Sequence, residues 1–346
     1  MQDSSAGQAR RQQEPLPEAR LVAPNIWKFT LPIPFPLRTV NMYAIVGEHG
    51  DWAVIDAGMG ISDARVALRD GLHKAGLRIS NLRTIVLSHD HPDHIGLSGE
   101  LREKSGATVY MHPIDAEGMR TIWSGSAPEQ FRSVSQFFRQ HGMPVDEQWF
   151  SSISANEMRN VIRVPPYEEL TLVEDGQYLD ILGEQYRVIW TPGHSDGHIC
   201  LFRERDGVFI AADHVLPRIT PNVGLYSEND RANPLGDYLD SLRKVQHLPA
   251  SIVLPGHGEP FTDLEGRVQE IIEHHEDREQ QILSLFDKQP RNAYYLTEKL
   301  FGQRLKSNEA RRMAVAETLA HLEYMRYESQ VEQYKTTDGL IMYEVV

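Results

Sequence analysis

The sequence predicts an α/β fold followed by a smaller C-terminal part with a different pattern. Short apolar runs rich in β-branched residues alternate with amphipathic helical segments over residues 26–254. Four of these runs end directly in a histidine or an aspartate, which is typical of a site at the carboxyl edge of a sheet. Residues 267–346 instead contain three helical segments and then two strands around a turn.

The first elements indicate a sheet that follows a polar N-terminus. Residues 1–20 have no hydrophobic periodicity and predict a disordered tail. Alternating or continuous apolar character predicts the first three strands at 26–31, 42–46 and 52–55. The proline-rich segment 32–38 cannot be regular sheet, so we interpret it as a connection between strands. A capped amphipathic helix is predicted at 63–76.

A long segment with helical periodicity, residues 113–165, follows a strand at 107–111 and interrupts the predicted sheet. Insertions of this length often form lids or substrate walls. Five aromatic residues of the segment could line an apolar pocket or pack the insertion onto the protein, and we expect a mixture of the two: Phe131, Phe137, Phe138, Trp149 and Phe150.

The second half of the chain predicts a β meander and then a helical end. Four runs form the meander, at 178–182, 186–190, 198–203 and 208–211. A helix at 234–248 and a strand ending at Leu254 complete this half. The last segments are helices at 270–286, 293–301 and 308–327 and strands at 331–335 and 340–346. Three helices and then a hairpin is a winged-helix pattern.

The winged-helix-like part has two interpretations. Winged helices often bind DNA, and residues 288–326 carry eight Lys or Arg against four Glu. The alternative is a packing or dimerising role. We favour the second interpretation because the rest of the chain is acidic.

Composition narrows the function classes. The 346 residues carry a formal net charge of −14, which disfavours binding to nucleic acid or to an anionic membrane. The single cysteine, Cys200, lies in an apolar run and is interpreted as a buried structural thiol. The polar N-terminus and the lack of a long apolar run lead us to expect a cytoplasmic protein without a membrane span.

The run from His89 to His94 is the strongest functional signal. It reads His-Asp-His-Pro-Asp-His, and it follows the apolar run 84–87 on a predicted strand-to-helix loop. Three imidazoles packed together would repel each other if they were protonated, so a bound cation that keeps them neutral is the simplest explanation.

Three further strands run into residues of the same type. Val188-Ile189-Trp190 leads to a glycine and His194, the strand at 208–212 ends at Asp213, and the strand ending at Leu254 leads to a glycine and His257. A glycine before each of these two histidines lets the backbone approach a site without a Cβ clash.

On these residues the chain resembles the metallo-β-lactamase-fold hydrolases. The matching motifs are the His-x-His-x-Asp-His run at 89–94, Thr-Pro-Gly-His ending at His194, Asp213 and the Gly-His-Gly at 256–258. The strand that ends in Asp56-Ala57-Gly58 also matches. The similarity covers about residues 25–262 and is closest in pattern to the glyoxalase-II-like and lactamase-beta-2-like branches.

The resemblance implies a fold, a domain division and a cofactor. The fold would be a four-layer αββα sandwich, formed by residues 21–266 with the helical insertion at 113–165, followed by the winged-helix-like domain at 267–346. The family pattern places His89, His91 and His194 on one metal ion. It places Asp93, His94 and His257 on a second ion, with Asp213 as the bridge. Two zinc ions are expected, with iron or manganese as alternatives.

The resemblance also implies a reaction. Two metal ions would share a hydroxide that attacks a thioester, ester or lactone, and Asp93 would transfer the proton to the leaving group. Asp56 and His198 would hold ligand imidazoles in the correct tautomer, and Tyr226 would donate to the developing oxyanion. A small-molecule substrate is therefore expected, although the glutathione-binding residues of glyoxalase II are not recognisable.

Three other functions remain open at this point. The same ligands would serve a phosphodiesterase or endoribonuclease, but that use predicts a basic groove, and this chain is acidic. They would also serve iron-dependent sulfur oxidation. A DNA-binding regulator is the fourth reading, and the intact set of metal ligands argues against it.

Overall fold

The computed structural model describes residues 19–123, 127–145, 161–228 and 230–346. The first of its sheets has seven strands that lie in chain order. Their bounds are β1 Arg20–Ala23, β2 Ile26–Pro32, β3 Thr39–Val46, β4 Trp52–Ile55, β5 Leu82–Val86, β6 Thr108–Met111 and β7 Leu170–Leu172. Strands β1 to β4 pair antiparallel, and β4 to β7 pair parallel.

The second sheet has five strands in the order β12-β11-β10-β9-β8. Their bounds are β8 Tyr178–Ile181, β9 Glu184–Trp190, β10 Ile199–Arg203, β11 Val208–Ala212 and β12 Ile252–Pro255. Strands β8 to β11 form the predicted antiparallel meander, and β12 joins β11 in parallel. Parallel pairing at β4–β5 and β11–β12 directs several strand ends to one edge, where ligand-type residues follow them.

Nine helices accompany the sheets in the described part of the chain. Their bounds are α1 Ser62–Ala75, α2 Pro92–Ile95, α3 Ser98–Ser105, α4 Pro113–Trp123, α5 Ala127–Gln140, α6 Pro234–Gln246, α7 Leu264–Leu285, α8 Ala293–Leu300 and α9 Asn308–Tyr327. The chain ends with a hairpin of β13 Val331–Lys335 and β14 Ile341–Val345. None of the helices described is both long and apolar enough to cross a membrane.

Three apolar cores explain the layers. The inner faces of the two sheets meet in a core that includes Tyr43, Ile55, Val188 and Ile210. The outer face of the first sheet packs on α1, α3 and α4, and the outer face of the second packs on α6 and α7. Sheets flanked by helices confirm the predicted metallo-β-lactamase-like architecture.

A fourth core holds the C-terminal region together. It joins the end of α7 to α8, α9 and the hairpin, in the predicted order of three helices and two strands. That order alone does not establish a winged helix, which stays a prediction. Helix α7 begins at Leu264, six residues before the predicted start at 270, because the side chain of Asp263 caps it by accepting from Gly266 N at 2.9 Å.

The insertion aromatics that the structure describes take the packing role, which is one part of the expected mixture. Phe137 and Phe138 on α5 are buried in the C-terminal core, at 5% and 0% exposure, so they pack the insertion and do not line a pocket. The side chain of Phe131, together with Trp149 and Phe150, lies outside the described residues. The predicted tail is outside them as far as residue 18, whereas Ala19 is buried and Arg20 begins β1.

Candidate metal centre

Five loops bring the predicted site residues together at one edge of the sandwich. Strand β5 leads into the loop and short helix that carry His89, His91, Asp93 and His94, while β4 ends before Asp56. The loops after β9, β11 and β12 supply the remaining predicted ligands, which are His194, Asp213 and His257. Predicted ligands as far apart in the chain as His89 and His257, 168 positions, therefore converge, as the strand-end pattern predicts.

The ligand-type atoms form three overlapping groups, within each of which they lie no more than 4.8 Å apart. Two of these groups have the composition that the family pattern implies for the two metal positions. The groups are His89, His91 and His194; Asp93, His94 and His257; and His89, His94 and Asp213.

Asp213 lies between the two positions. Its Oδ2 atom is 3.5 Å from Nε2 of His194 and 3.2 Å from Nε2 of His257. Its Oδ1 atom is 3.5 Å from Nε2 of His94. One carboxylate thus faces imidazoles of both groups, which is the placement that a bridging ligand requires.

Asp56 orients one of the ligand rings. Its Oδ2 atom lies 2.8 Å from Nδ1 of His94, and its two oxygens also accept from the main-chain N and the hydroxyl of Ser88 at 2.8 and 2.9 Å. A proton on Nδ1 that is donated to Asp56 leaves Nε2 of His94 free to bind a cation. The structure therefore places Asp56 where the predicted orienting role needs it.

Main-chain oxygens orient two further rings. Nδ1 of His194 lies 2.8 Å from the carbonyl oxygen of Asn222, and Nδ1 of His257 lies 2.6 Å from that of Thr39. A carbonyl oxygen can only accept, so in both rings Nδ1 carries the proton and Nε2 faces the site.

The donor set fits a metal ion. Nε2 of His94, Nε2 of His194 and Oδ1 of Asp213 are buried and have no hydrogen-bond partner within the described residues. Buried polar atoms are costly unless they are satisfied, and a cation would satisfy all three. Imidazole and carboxylate donors suit zinc, iron and manganese, and Cys200 is not among them.

Burial and neighbouring charges shift the pKa values of the clustered histidines. Burial, helped by neighbouring imidazoles, holds the pKa of His89 and of His91 well below the usual range, so both rings stay neutral. Burial would also lower the pKa of His94, but the carboxylates of Asp213, Asp56 and Asp93 raise it well above the usual range. The carboxylates thus make this pocket attractive to positive charge.

Two glycines permit the close approach of the loops. A Cβ on Gly256 would lie 2.0 Å from Oδ1 of Asp213, and a Cβ on Gly193 would lie 2.3 Å from Cβ of Tyr238. Gly193 also has φ +134°, a backbone conformation that L side chains rarely adopt. These contacts explain why a glycine precedes His194 and His257.

His198 makes a different contact from the one we expected. Its Nδ1 atom bonds Oγ1 of Thr191 at 2.9 Å, and its ring lies 5.1 Å from that of His89 without a hydrogen bond between them. His198 therefore packs beside a ligand, and the expectation that it fixes a ligand tautomer needs correction.

Tyr226 also needs correction as a catalytic residue. Its hydroxyl donates to Oδ1 of Asn222 at 2.6 Å, so its single proton is already used. Burial raises the pKa of Tyr226 to about 12. The structure places this tyrosine in support of a site loop and not as the donor to an oxyanion.

Asp115 on α4 is a site residue that the sequence reasoning missed. Its Oδ2 atom accepts from Asp90 N at 3.2 Å and from the hydroxyl of Ser195 at 2.6 Å, and its Oδ1 atom accepts from Gly197 N at 2.5 Å. The carboxylate is buried and ties the loop of His89 and His91 to the loop of His194. Only its position three residues after a strand-end histidine, His112, hinted at it.

Comparison with known protein families agrees with this geometry. Residues 36–257 match the model of the metallo-beta-lactamase superfamily, and residues 280–346 match a metallo-beta-lactamase-like C-terminal domain. The first match covers more than half of the chain. The chain therefore belongs to the metallo-beta-lactamase superfamily.

Individual relatives are similar over most of their length. The probable metallo-hydrolase YqjP of Bacillus subtilis is 28% identical, over 88% of this chain and 93% of that protein. A solved metallo-beta-lactamase family protein of Thermus thermophilus is 35% identical with a TM-score of 0.81, over 94% and 99% of the two chains. A beta-lactamase domain protein of Burkholderia ambifaria is 26% identical with a TM-score of 0.84, over 96% and 97%. Fold, site and relatives together define a metallo-hydrolase of this superfamily.

Proposed function

We propose that this protein is a dinuclear metallohydrolase that cleaves acyl thioesters, with esters and lactones as related substrates. The observation that carries the proposal is the position of Asp213 between two complete groups of ligand-type atoms. A single-ion site would leave one of those groups of buried imidazoles and carboxylates without a cation.

The ligand assignment follows the groups. His89, His91 and His194 would hold one ion; Asp93, His94 and His257 would hold the other; Asp213 would contact both. Zinc is the proposed metal, with iron and manganese as alternatives that suit the same nitrogen and oxygen donors. Bound metal ions would supply Lewis acidity and an activated water whose pKa falls toward ~7.

The residues of the chain supply the remaining steps. Asp93 is close to both His94 and His257, with its Oδ2 atom 3.9 and 3.5 Å from their Nε2 atoms. It is 9% exposed, so it reaches the edge of the site and can accept a proton from the attacking water and return it to the leaving thiolate or alkoxide. Asp56 and the carbonyl oxygens of Asn222 and Thr39 accept from Nδ1 of His94, His194 and His257, so that Nε2 of each ring faces the site.

The substrate class rests on one relative and on charge. An atrochrysone carboxyl ACP thioesterase of Aspergillus fumigatus is 25% identical, over 78% of this chain and 67% of that protein. That relationship supports a thioester. The net charge of −14 weighs against a polyanionic phosphodiester or RNA.

Two measurements test this function. Elemental analysis of protein purified without chelator should give about two metal ions per chain, as the two groups of donors require. A substrate panel of acyl thioesters, esters, lactones, a phosphodiester and RNA should then show fastest turnover with a thioester. The surface variant His73→Ala is the control, because this exposed ring lies in the last turn of α1 and belongs to none of the groups of ligand-type atoms. A metal content well below one ion, or turnover of the phosphodiester alone, would contradict the proposal.

A further inference from the structure

The loop at 222–226 connects a predicted metal ligand to the C-terminal helices. The carbonyl oxygen of Asn222 accepts from Nδ1 of His194 at 2.8 Å. The side-chain oxygen of the same asparagine accepts from the hydroxyl of Tyr226 at 2.6 Å. Asn222 therefore contacts Tyr226 through its side chain and the His194 ring through its main chain.

The other side of this loop lies against α9. The main-chain N of Leu225 donates to the carbonyl oxygen of Ala316 at 3.1 Å. The guanidinium of Arg312 lies 5.3 Å from the centre of the Tyr226 ring, within the range of a cation–π interaction. A Cβ on Gly224 would lie 3.0 Å from Cβ of Ala316, so the loop approaches the helix about as closely as it can.

Apolar contacts fix the loop in two cores at once. Val223 packs in the core of the second sheet, which α9 enters through Ala320. Leu225 packs in the C-terminal core beside Val315 and Ala316 of α9. Because both side chains are at least nine-tenths buried, the loop cannot move without opening contacts with the helix.

We propose that the C-terminal domain is a positioning element of the metal centre. Helix α9 holds the loop at 222–226 through Arg312 and Ala316, and the loop fixes the tautomer and orientation of His194 through Asn222. The inference rests on the proposed role of His194 as a metal ligand. Partners that orient a ligand imidazole typically contribute 10–100-fold to metal affinity.

One pair of variants isolates the tyrosine. Tyr226→Phe removes the hydroxyl that holds Asn222 and keeps the ring that packs under Arg312. Tyr343→Phe is its control, because Tyr343 is a buried tyrosine of the same domain whose hydroxyl donates to Glu323 at 3.1 Å.

A second pair isolates the arginine. Arg312→Gln removes the cation beside Tyr226. Arg326→Gln is closely matched to it: Arg326 lies on the same helix, pairs with Glu323 three residues away as Arg312 pairs with Glu309, and stacks on Tyr327 at 4.9 Å. Arg326 is at the far end of α9 from the loop.

Two readouts apply to all four variants. The first is metal affinity, measured by competition with a chromophoric chelator. The second is hydrogen exchange of the peptide at 222–228 in protein stripped of metal, which does not depend on activity. We expect Tyr226→Phe and Arg312→Gln to bind metal about tenfold more weakly, the lower end for an orienting partner, and to exchange faster in this peptide. Both controls should match the wild type.

The outcomes separate this inference from the proposed function. Wild-type affinity and wild-type exchange in Tyr226→Phe would overturn the positioning role while leaving the metallohydrolase proposal intact. Wild-type protein that binds no metal would overturn both. Urea unfolding of each metal-free variant shows whether it is folded. If Arg312→Gln does not fold, the test rests on Tyr226→Phe, which deletes one atom.

Discussion

The carboxylate of Asp213 combines a central position between the two groups of ligand-type atoms with a negative charge. Among the described residues it is the carboxylate that faces imidazoles of both ligand groups, and it is almost fully buried. Burial would raise the pKa of Asp213, but the nearby His257 and His94 hold it well below the usual range. The group therefore stays negatively charged and is suited to neutralise two cations.

We predict that Asp213→Ala loses most of the activity and at least one metal ion per chain. Removal of the shared negative charge leaves two cations that repel each other across a buried site. Elemental analysis and turnover measure both effects. Asp70→Ala is the control, because this exposed carboxylate lies on α1 and pairs with its neighbour Arg69. Unchanged metal content in Asp213→Ala would show that it is not the bridge.

We predict that Asp115→Asn loosens two site loops together. The amide keeps the shape but loses one acceptor, so a buried donor among Asp90 N, the Ser195 hydroxyl and Gly197 N goes unsatisfied. Loss of one such partner costs about 1–3 kcal/mol in the free energy of unfolding. Urea unfolding of the metal-free protein measures that cost, and the exposed Asp180→Asn, which removes an acceptor from Gly183 N, is its control.

The convergence of the ligand-type residues could be predicted from the sequence and the contacts of Asp115 could not, for a physical reason. Each ligand-type residue lies on the loop or short helix that follows a strand, and parallel strand ends share an edge, so local pattern carries the information. Asp115 acts through partners 25, 80 and 82 residues away, on loops whose mutual packing leaves no local signal. The predicted oxyanion role of Tyr226 was wrong for a different reason. The polar residues around it in the sequence resembled a site, whereas its hydroxyl donates to Asn222.

Hydrophobic periodicity predicted where strands and helices lie in the chain. It did not predict which other element each apolar face packs against. The meander at β8 to β11 and the C-terminal order of three helices and a hairpin agree with the prediction. The start of α7 was missed because its first turn is polar, although Asp263 is a strong capping residue. The aromatics of the insertion were expected to divide between lining a pocket and packing, and Phe137 and Phe138 on α5 pack in the C-terminal core.

We predict that Phe138→Ala destabilises the protein without changing substrate preference. The ring is fully buried, and truncation of a buried phenylalanine costs about 3–5 kcal/mol in the free energy of unfolding. Urea unfolding measures the cost, and a series of acyl thioesters of increasing chain length measures preference. If Phe138→Ala instead lost the preference for acyl chain length and kept the wild-type free energy of unfolding, Phe138 would line the substrate pocket.

At the scale of the whole molecule, α7 and α9 join the catalytic fold to the C-terminal region. The first half of α7 packs in the core of the second sheet, and its last turn packs in the C-terminal core. Where α7 and α9 meet, His275 and His321 are buried, with Nδ1 of the first 3.1 Å from Nε2 of the second. Nδ1 of His321 lies 2.8 Å from the carbonyl oxygen of Glu317, so Nδ1 of each ring can donate while both rings are neutral. Nε2 of His275 is buried and has no hydrogen-bond partner among the described residues.

This pair should make the protein sensitive to acid. Burial lowers the pKa of His321 to about 4 and that of His275 further, and their mutual repulsion and the nearby Arg278 add to the effect at His275. The unfolded chain binds protons at these groups below about pH 6.5, whereas the folded chain does not bind one at His321 until about pH 4. The contribution of this pair to the free energy of unfolding is therefore fully present above pH 6.5 and falls as the pH drops, by about 1.4 kcal/mol per pH unit for each of the two histidines.

We predict that His321→Asn unfolds with a shallower dependence on pH than the wild type between pH 6.5 and 4.5. Asparagine stays neutral, so whatever constant packing cost the variant carries, its free energy of unfolding should lose about 1.4 kcal/mol less per pH unit. Urea unfolding of metal-free protein at several pH values gives the slope without interference from the site. Glu279 acts in the opposite direction, because burial raises its pKa to about 7, but it is present in both proteins and cancels in the difference. Parallel slopes for the two proteins would mean that His321 is protonated in the folded state, and that the junction between the two regions tolerates a buried charge.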